Sequence, residues 1–113
     1  MELKLTELDN GTRKVSIHGR LDTSGVGSIE TRFIAATASS GKNTIVDLSD
    51  VPYLTSMGIR MLIVAAKAAK GKNAKIVLFG VQGLVREVFD HVSLGHVIPI
   101  ASDEKHALEI LKA

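Results

Sequence analysis

The chain has 113 residues, 45% hydrophobic and 23% charged, a balance that fits one compact domain over 1–113 and excludes a disordered or coiled-coil chain. Fourteen Lys and Arg against twelve Asp and Glu leave a formal charge of +2, scattered along the sequence, so no nucleic-acid partner is indicated. The absence of cysteine removes disulfides, thiolate nucleophiles and sulfur-ligated metals, and with no Trp, one Tyr and three Phe the interior must be aliphatic.

From Glu2 to Leu8 the apolar residues Leu3 and Leu5 alternate with polar ones, Leu8 falls out of step, and Asn10-Gly11 supplies a hairpin turn. This opening lacks the apolar centre of a signal peptide, and no run approaches the roughly 20 apolar residues of a membrane span. A cytoplasmic location without membrane insertion is expected. A second strand is predicted from about Arg13 to His18, where Val15 and Ile17 point one way and Lys14, Ser16 and His18 the other. After a glycine-containing loop, Val26, Ile29, Phe33 and Ala36 recur at helical spacing, and Ser39-Ser40-Gly41 closes that helix. Thr44 to Leu48 predicts a short strand buried on both faces.

Met57 to Lys70 is the strongest helix signal: rich in Ala, free of proline, ended by Gly71 with Lys67 and Lys70 in its last turns. Its apolar surface is broad, leaving Arg60 and Lys67 as a narrow polar line, so two layers or a partner must cover it. Lys75 to Phe79 predicts a strand, Leu84 to Asp90 a short helix and Val97 to Ile100 a last strand. Asp103 to Lys112 predicts a closing helix begun at Ser102. Alternation of strands and helices after the hairpin implies an α/β fold: a mixed, mostly parallel sheet of about five strands with about four helices packed against it. In such sheets, functional groups gather where strand ends meet helix starts, which singles out the segments Gly19 to Gly27 and Ser49 to Gly58.

The second segment reads Asp47-Leu48-Ser49-Asp50-Val51-Pro52-Tyr53-Leu54-Thr55-Ser56-Met57-Gly58-Ile59. It resembles the STAS domain of bacterial anti-sigma factor antagonists, in which a strand leads through a tyrosine or phenylalanine to an Asp-Ser-Ser/Thr-Gly-Leu motif. Gly19-Arg20-Leu21-Asp22 is similar to the family's Gly-Glu-Leu-Asp, and Val85 to Leu94 to its Phe-Asp-containing late helix, so the likeness spans nearly the whole chain. Thr55 stands where the family usually has aspartate and Met57 where it has serine or threonine. The resemblance implies a non-enzymatic regulator that docks on a serine-kinase anti-sigma factor and is switched off by phosphorylation at Ser56, with a serine phosphatase to reset it. It implies no catalytic residue, metal or cofactor in the chain. Asp22, Thr23, Ser24, Thr55, Met57, Gly58 and Arg60 form the expected phosphosite neighbourhood.

Elementary chemistry offers alternatives at the same residues. Ser56 reads equally as a structural helix cap contributing about 1 kcal/mol, Asp22 as a cap on the following turn, and Arg60 as a solvated arginine. A phosphate on Ser56 would sit against the positive end of the helix dipole, with Arg60 one turn further on. A docking surface is expected from the loop Leu21 to Gly27 and the exposed side of the long helix. A second reading keeps the domain without phosphorylation, as a scaffold or transporter-associated subunit that binds its partner constitutively; a third makes a small enzyme of Asp22 and Ser56. Gly25-Val26-Gly27 lacks the third glycine of a dinucleotide fingerprint, since Glu30 takes its place, and reads as a flexible loop. His18, His91, His96 and His106 show no metal-ligand spacing. Lys67, Lys70, Lys72 and Lys75 cluster at a helix end and could steer an acidic partner.

Overall fold

A computed structural model describes residues 2–8, 11–37 and 41–112. Four strands, β1 (Glu2–Glu7), β2 (Arg13–His18), β3 (Thr44–Asp50) and β4 (Ile76–Phe79), form a sheet in the order β1-β2-β3-β4 among the described residues. β1 runs antiparallel to β2, while the β2–β3 and β3–β4 pairs are parallel. Leu3 lies opposite Ile17 and Leu5 opposite Val15, so the period-two pattern of the opening strands puts four aliphatic side chains on one face. The turn expected at Asn10-Gly11 and the helix end at Ser39-Ser40 fall on positions that include residues outside the described set.

Helices α1 (Thr23–Thr37), α2 (Ser56–Lys70) and α3 (Gly83–His91) pack on that face, and α4 (Glu104–Lys112) packs on the other against β3 and β4. β3 divides its side chains between two cores: Val46 and Leu48 point to α1 and α2, and Ile45 points to the cluster under α4 with Val77, Phe79, Ala101 and Ala107. Burial of β3 on both faces therefore holds. Leu8, out of step in the sequence, lies beyond β1 and packs half-buried with that second cluster. α2 buries Gly58, Met61, Leu62, Ala65 and Ala69 and lies against α1, so most of its broad apolar surface is covered from within.

Three expectations need correction. Instead of about five strands there are four among the described residues, because 97–100 forms only a single bridge, Leu78 with Ile100. Pro99 has no amide to donate, and the amides of Val97 and Ile98 both close a turn on the Leu94 carbonyl. Gly25-Val26-Gly27 is not a flexible loop but lies in the first turns of α1. The Asp22 carboxylate accepts from the Gly25 amide at 2.9 Å, the Asp22 carbonyl accepts from Val26, and the buried stripe Val26, Ile29, Phe33 and Ala36 outweighs a glycine penalty of about 1 kcal/mol each. α4 begins after Asp103, whose Oδ1 accepts from the His106 amide, while the Ser102 amide donates to His106 Nδ1; Asp103, not Ser102, caps it.

Candidate functional site

The two segments singled out in the sequence meet at one corner. Leu21 forms a parallel bridge with Leu54: its amide donates to the Tyr53 carbonyl at 3.0 Å, and its carbonyl accepts the Thr55 amide at 3.0 Å. Both leucines are buried, so the corner is pinned by backbone bonds above an apolar floor. Gly58 completes the seat. A Cβ there would lie 3.0 Å from both the Cβ and the carbonyl oxygen of Leu21, so α2 sits on this segment at a distance that only glycine permits without a shift.

α2 starts one residue earlier than the sequence suggests, which changes the role of Ser56. Thr55 occupies the N-cap with extended backbone (φ −109°, ψ 179°), and Ser56 is the first helical residue. The Thr55 hydroxyl does not cap the helix; it donates to the Leu21 carbonyl at 3.3 Å. The Thr55 carbonyl takes the amides of Gly58 and Ile59, while those of Ser56 and Met57 have no backbone partner among the described residues. Ser56 is exposed, and among the described residues its hydroxyl makes no hydrogen bond. The reading of Ser56 as a structural cap is therefore overturned.

The other expected residues distribute as follows. Asp22 is half-buried and caps α1, leaving its second oxygen 3.9 Å from Arg20 Nε. Thr23 and Ser24 are exposed in the first turn of α1, where a loop to Gly27 was expected. Met57 and Arg60 are exposed on α2, and with Val64 and Lys67 they make its outer line, at spacings of three and four residues. Tyr53 and Met57, each 38% exposed, flank Ser56 in the sequence, three residues before it and one after. Sequence reasoning missed Arg20, whose guanidinium lies over the Tyr53 ring at 4.9 Å. Its alignment beside Tyr53 follows from the Leu21–Leu54 bridge, a pairing no local pattern announces. Outside the corner, His18 Nδ1 lies 2.6 Å from Asp50 Oδ2, linking the ends of β2 and β3, and His91 and His96 are exposed. Among the described residues no cluster of three metal-ligating side chains occurs, and no helix is long and apolar enough to cross a membrane.

The corner can present a hydroxyl to solvent at the positive end of a 15-residue helix, on a backbone fixed by the Leu21 bonds. The Asp22 carboxylate, turned to the α1 amides, is not held against that hydroxyl as a base. Among relatives, BtrV of Bordetella bronchiseptica, whose name carries the designation anti-sigma factor antagonist, is 23% identical over 112 residues, covering 99% of this chain and 96% of its own. An anti-sigma factor antagonist (STAS) domain protein of Planctomyces limnophilus superposes with a TM-score of 0.86 at 22% identity, covering 98% of each chain. SpoIIAA of Bacillus, solved in its phosphorylated form, superposes with a TM-score of 0.69 at 18% identity, covering 96% of this chain and 99% of its own. The STAS domain family model matches residues 4–107, which takes in every strand but the first two residues of β1 and all of α1, α2 and α3. The chain belongs to the STAS domain family.

Proposed function

We propose that this chain is an anti-sigma factor antagonist: a non-enzymatic, cytoplasmic binding module that docks on a serine-kinase anti-sigma factor and is released when that partner phosphorylates Ser56. The observation that carries this reading is the exposed Ser56 hydroxyl, unbonded among the described residues, in the first turn of α2 between Tyr53 and Met57. The designation of BtrV and the phosphorylated form of SpoIIAA support it.

In the unmodified state, the outer line of α2 with Tyr53, and the exposed start of α1 at Thr23 and Ser24, face the partner. Docking frees the sigma factor. The γ-phosphoryl group of the partner's ATP then passes to Ser56 Oγ: the new O–P bond forms, the bond to ADP breaks, and the hydroxyl proton goes to a base of the kinase. The product adds about −1.5 to −2 charges. The free amides of Ser56 and Met57 and the helix dipole accommodate it within the chain, so the fold survives while the interface does not. A dianion trapped against a partner surface loses its hydration without full compensation, at a cost of several kcal/mol. A serine phosphatase restores the binding form.

Isothermal titration of the anti-sigma kinase with the unmodified and the Ser56-phosphorylated chain tests this. Phosphorylation should weaken binding at least about a hundredfold, roughly 2.8 kcal/mol at 1.4 kcal/mol per tenfold. A second reading, a scaffold or transporter-associated subunit that binds constitutively, draws on the Thr55 hydroxyl being committed to Leu21 and on Met57 standing where the family has a hydroxyl residue. It predicts equal affinity for both forms.

A further inference from the structure

β1 is an outer strand of the sheet, and the bonds of β2 reveal which of its groups face outward. The Arg13 amide donates to the Asn43 carbonyl at 2.9 Å, so Arg13, Val15 and Ile17 turn their backbone groups to β3, and Lys14, Ser16 and His18 turn theirs to β1. Their partners Thr6, Lys4 and Glu2 face inward in the same way. The amides and carbonyls of Leu3, Leu5 and Glu7 therefore point out of the sheet, where no strand meets them among the described residues.

Every residue of β1 but Leu3 is exposed. Leu5 is 46% exposed beside a groove of about 330 Å³ that it lines with Leu3, Ala35 and Ala36. On the opposite face Glu2 and Lys4 make no hydrogen bond or ion pair among the described residues. Across the ladder Lys4 lies opposite Ser16, and Glu2 lies opposite His18, whose Nδ1 is held by Asp50 at 2.6 Å. Glu7, by contrast, is taken by Arg13 and Lys42.

An antiparallel neighbour must set its own outward residues against Leu3, Leu5 and Glu7, which restricts the registers open to a second copy of the chain. Centred on Leu5, the pairing puts Lys4 opposite Thr6 and Glu2 opposite Leu8, matching no charges. Centred on Lys4, it sets the two lysines against each other. Only centring on Leu3 places Glu2 of each copy opposite Lys4 of the other, with leucine against leucine at position 3 and Met1 of one copy against the exposed Leu5 of the other.

We propose that β1 pairs antiparallel with β1 of a second copy in the register centred on Leu3, joining two four-stranded sheets into one. Charges on an edge strand commonly block such pairing; here their order admits one register and opposes the next. None of these residues belongs to the Ser56 corner, so the proposal stands apart from the phosphorylation reading.

The test uses the full chain. In sedimentation equilibrium it should pass from monomer to dimer between about 10 μM and about 1 mM, as suits a small contact, and the dimer should weaken with added salt. Exchange of the Leu3 and Leu5 amides should slow at least about tenfold over the same rise in protein concentration. Lys4→Glu and Glu2→Lys each turn two matched pairs into two like-charge pairs, so each alone should weaken association at least about tenfold. Mixed in equal amounts, the two variants again set opposite charges at both pairs and should associate about as tightly as the unaltered chain. A chain still monomeric at about 1 mM, or a dimer that leaves the Leu3 and Leu5 amides exchanging as before, would overturn the proposal. So would single variants that associate as well as the unaltered chain, or a mixture no better than either variant alone.

Discussion

Adding one methyl group at residue 58 probes the seat on which the candidate site rests. The new Cβ would lie 3.0 Å from the Leu21 Cβ, 3.0 Å from the Leu21 carbonyl oxygen and 3.3 Å from the Leu54 Cβ. Carbon contacts are comfortable at about 3.5–4.0 Å, so α2 must lift or Leu21 must yield by about half an ångström. Leu21 is fully buried and bonded to both Tyr53 and Thr55, so yielding strains those bonds. Overpacking of this kind costs about 1–3 kcal/mol, while alanine in place of glycine inside a helix returns at most about 1 kcal/mol. Gly58→Ala should therefore lose about 1–2 kcal/mol net. In urea unfolding followed by circular dichroism, the midpoint should fall with an unchanged slope. A midpoint equal to or above that of the unaltered chain would refute the packing argument. Because the same shift displaces Ser56 relative to Tyr53, phosphorylation of the folded variant should also be slower.

Two further expectations follow from individual bonds. Asp22→Ala removes the cap from α1 and should cost about 1 kcal/mol in the same unfolding assay while leaving phosphorylation of Ser56 intact; loss of phosphorylation without loss of stability would contradict the assignment of Asp22 as a cap. The Glu7 carboxyl is held below its ordinary value of 4.5 by the hydrogen bond from Arg13 Nε at 2.6 Å first and by Lys42 at 3.2 Å second. Its folded pKa thus lies below the unfolded one, so its contribution is present above the unfolded value and disappears as pH falls through the folded value. The melting-temperature gap between the chain and Glu7→Gln should close on acidification below 4.5 and narrow with added salt. A gap that widens in acid would contradict this.

Much of the architecture was legible because periodicity reports burial. β2 was predicted at Arg13 to His18 and is observed there, since Val15 and Ile17 face one core while their neighbours face away. α2 was found to within one residue because its apolar run, its four alanines and Gly71 mark both body and end. What stayed hidden depends on partners distant in sequence. Two adjacent hydroxyl residues, Thr55 and Ser56, give identical cap signals, and only the Leu21 carbonyl, 34 positions away, decides that Thr55 takes the N-cap and leaves Ser56 free. The start of α1 was obscured by its glycines, although Asp22 three residues before Gly25 is a capping pattern that could have been weighed. At 97–100 the apolar pattern suggested a strand, but Pro99 and the turn at Leu94 consume the groups a ladder needs.

The regulatory account rests on the hydroxyl of Ser56 receiving a phosphoryl group. Incubation of the chain with ATP and a serine-kinase anti-sigma factor, followed by intact-mass measurement and fragmentation, tests this most directly. The account predicts the addition of one phosphate, mapped to Ser56 and lost in Ser56→Ala. An unchanged mass, or a phosphate that persists in the alanine variant, would contradict it.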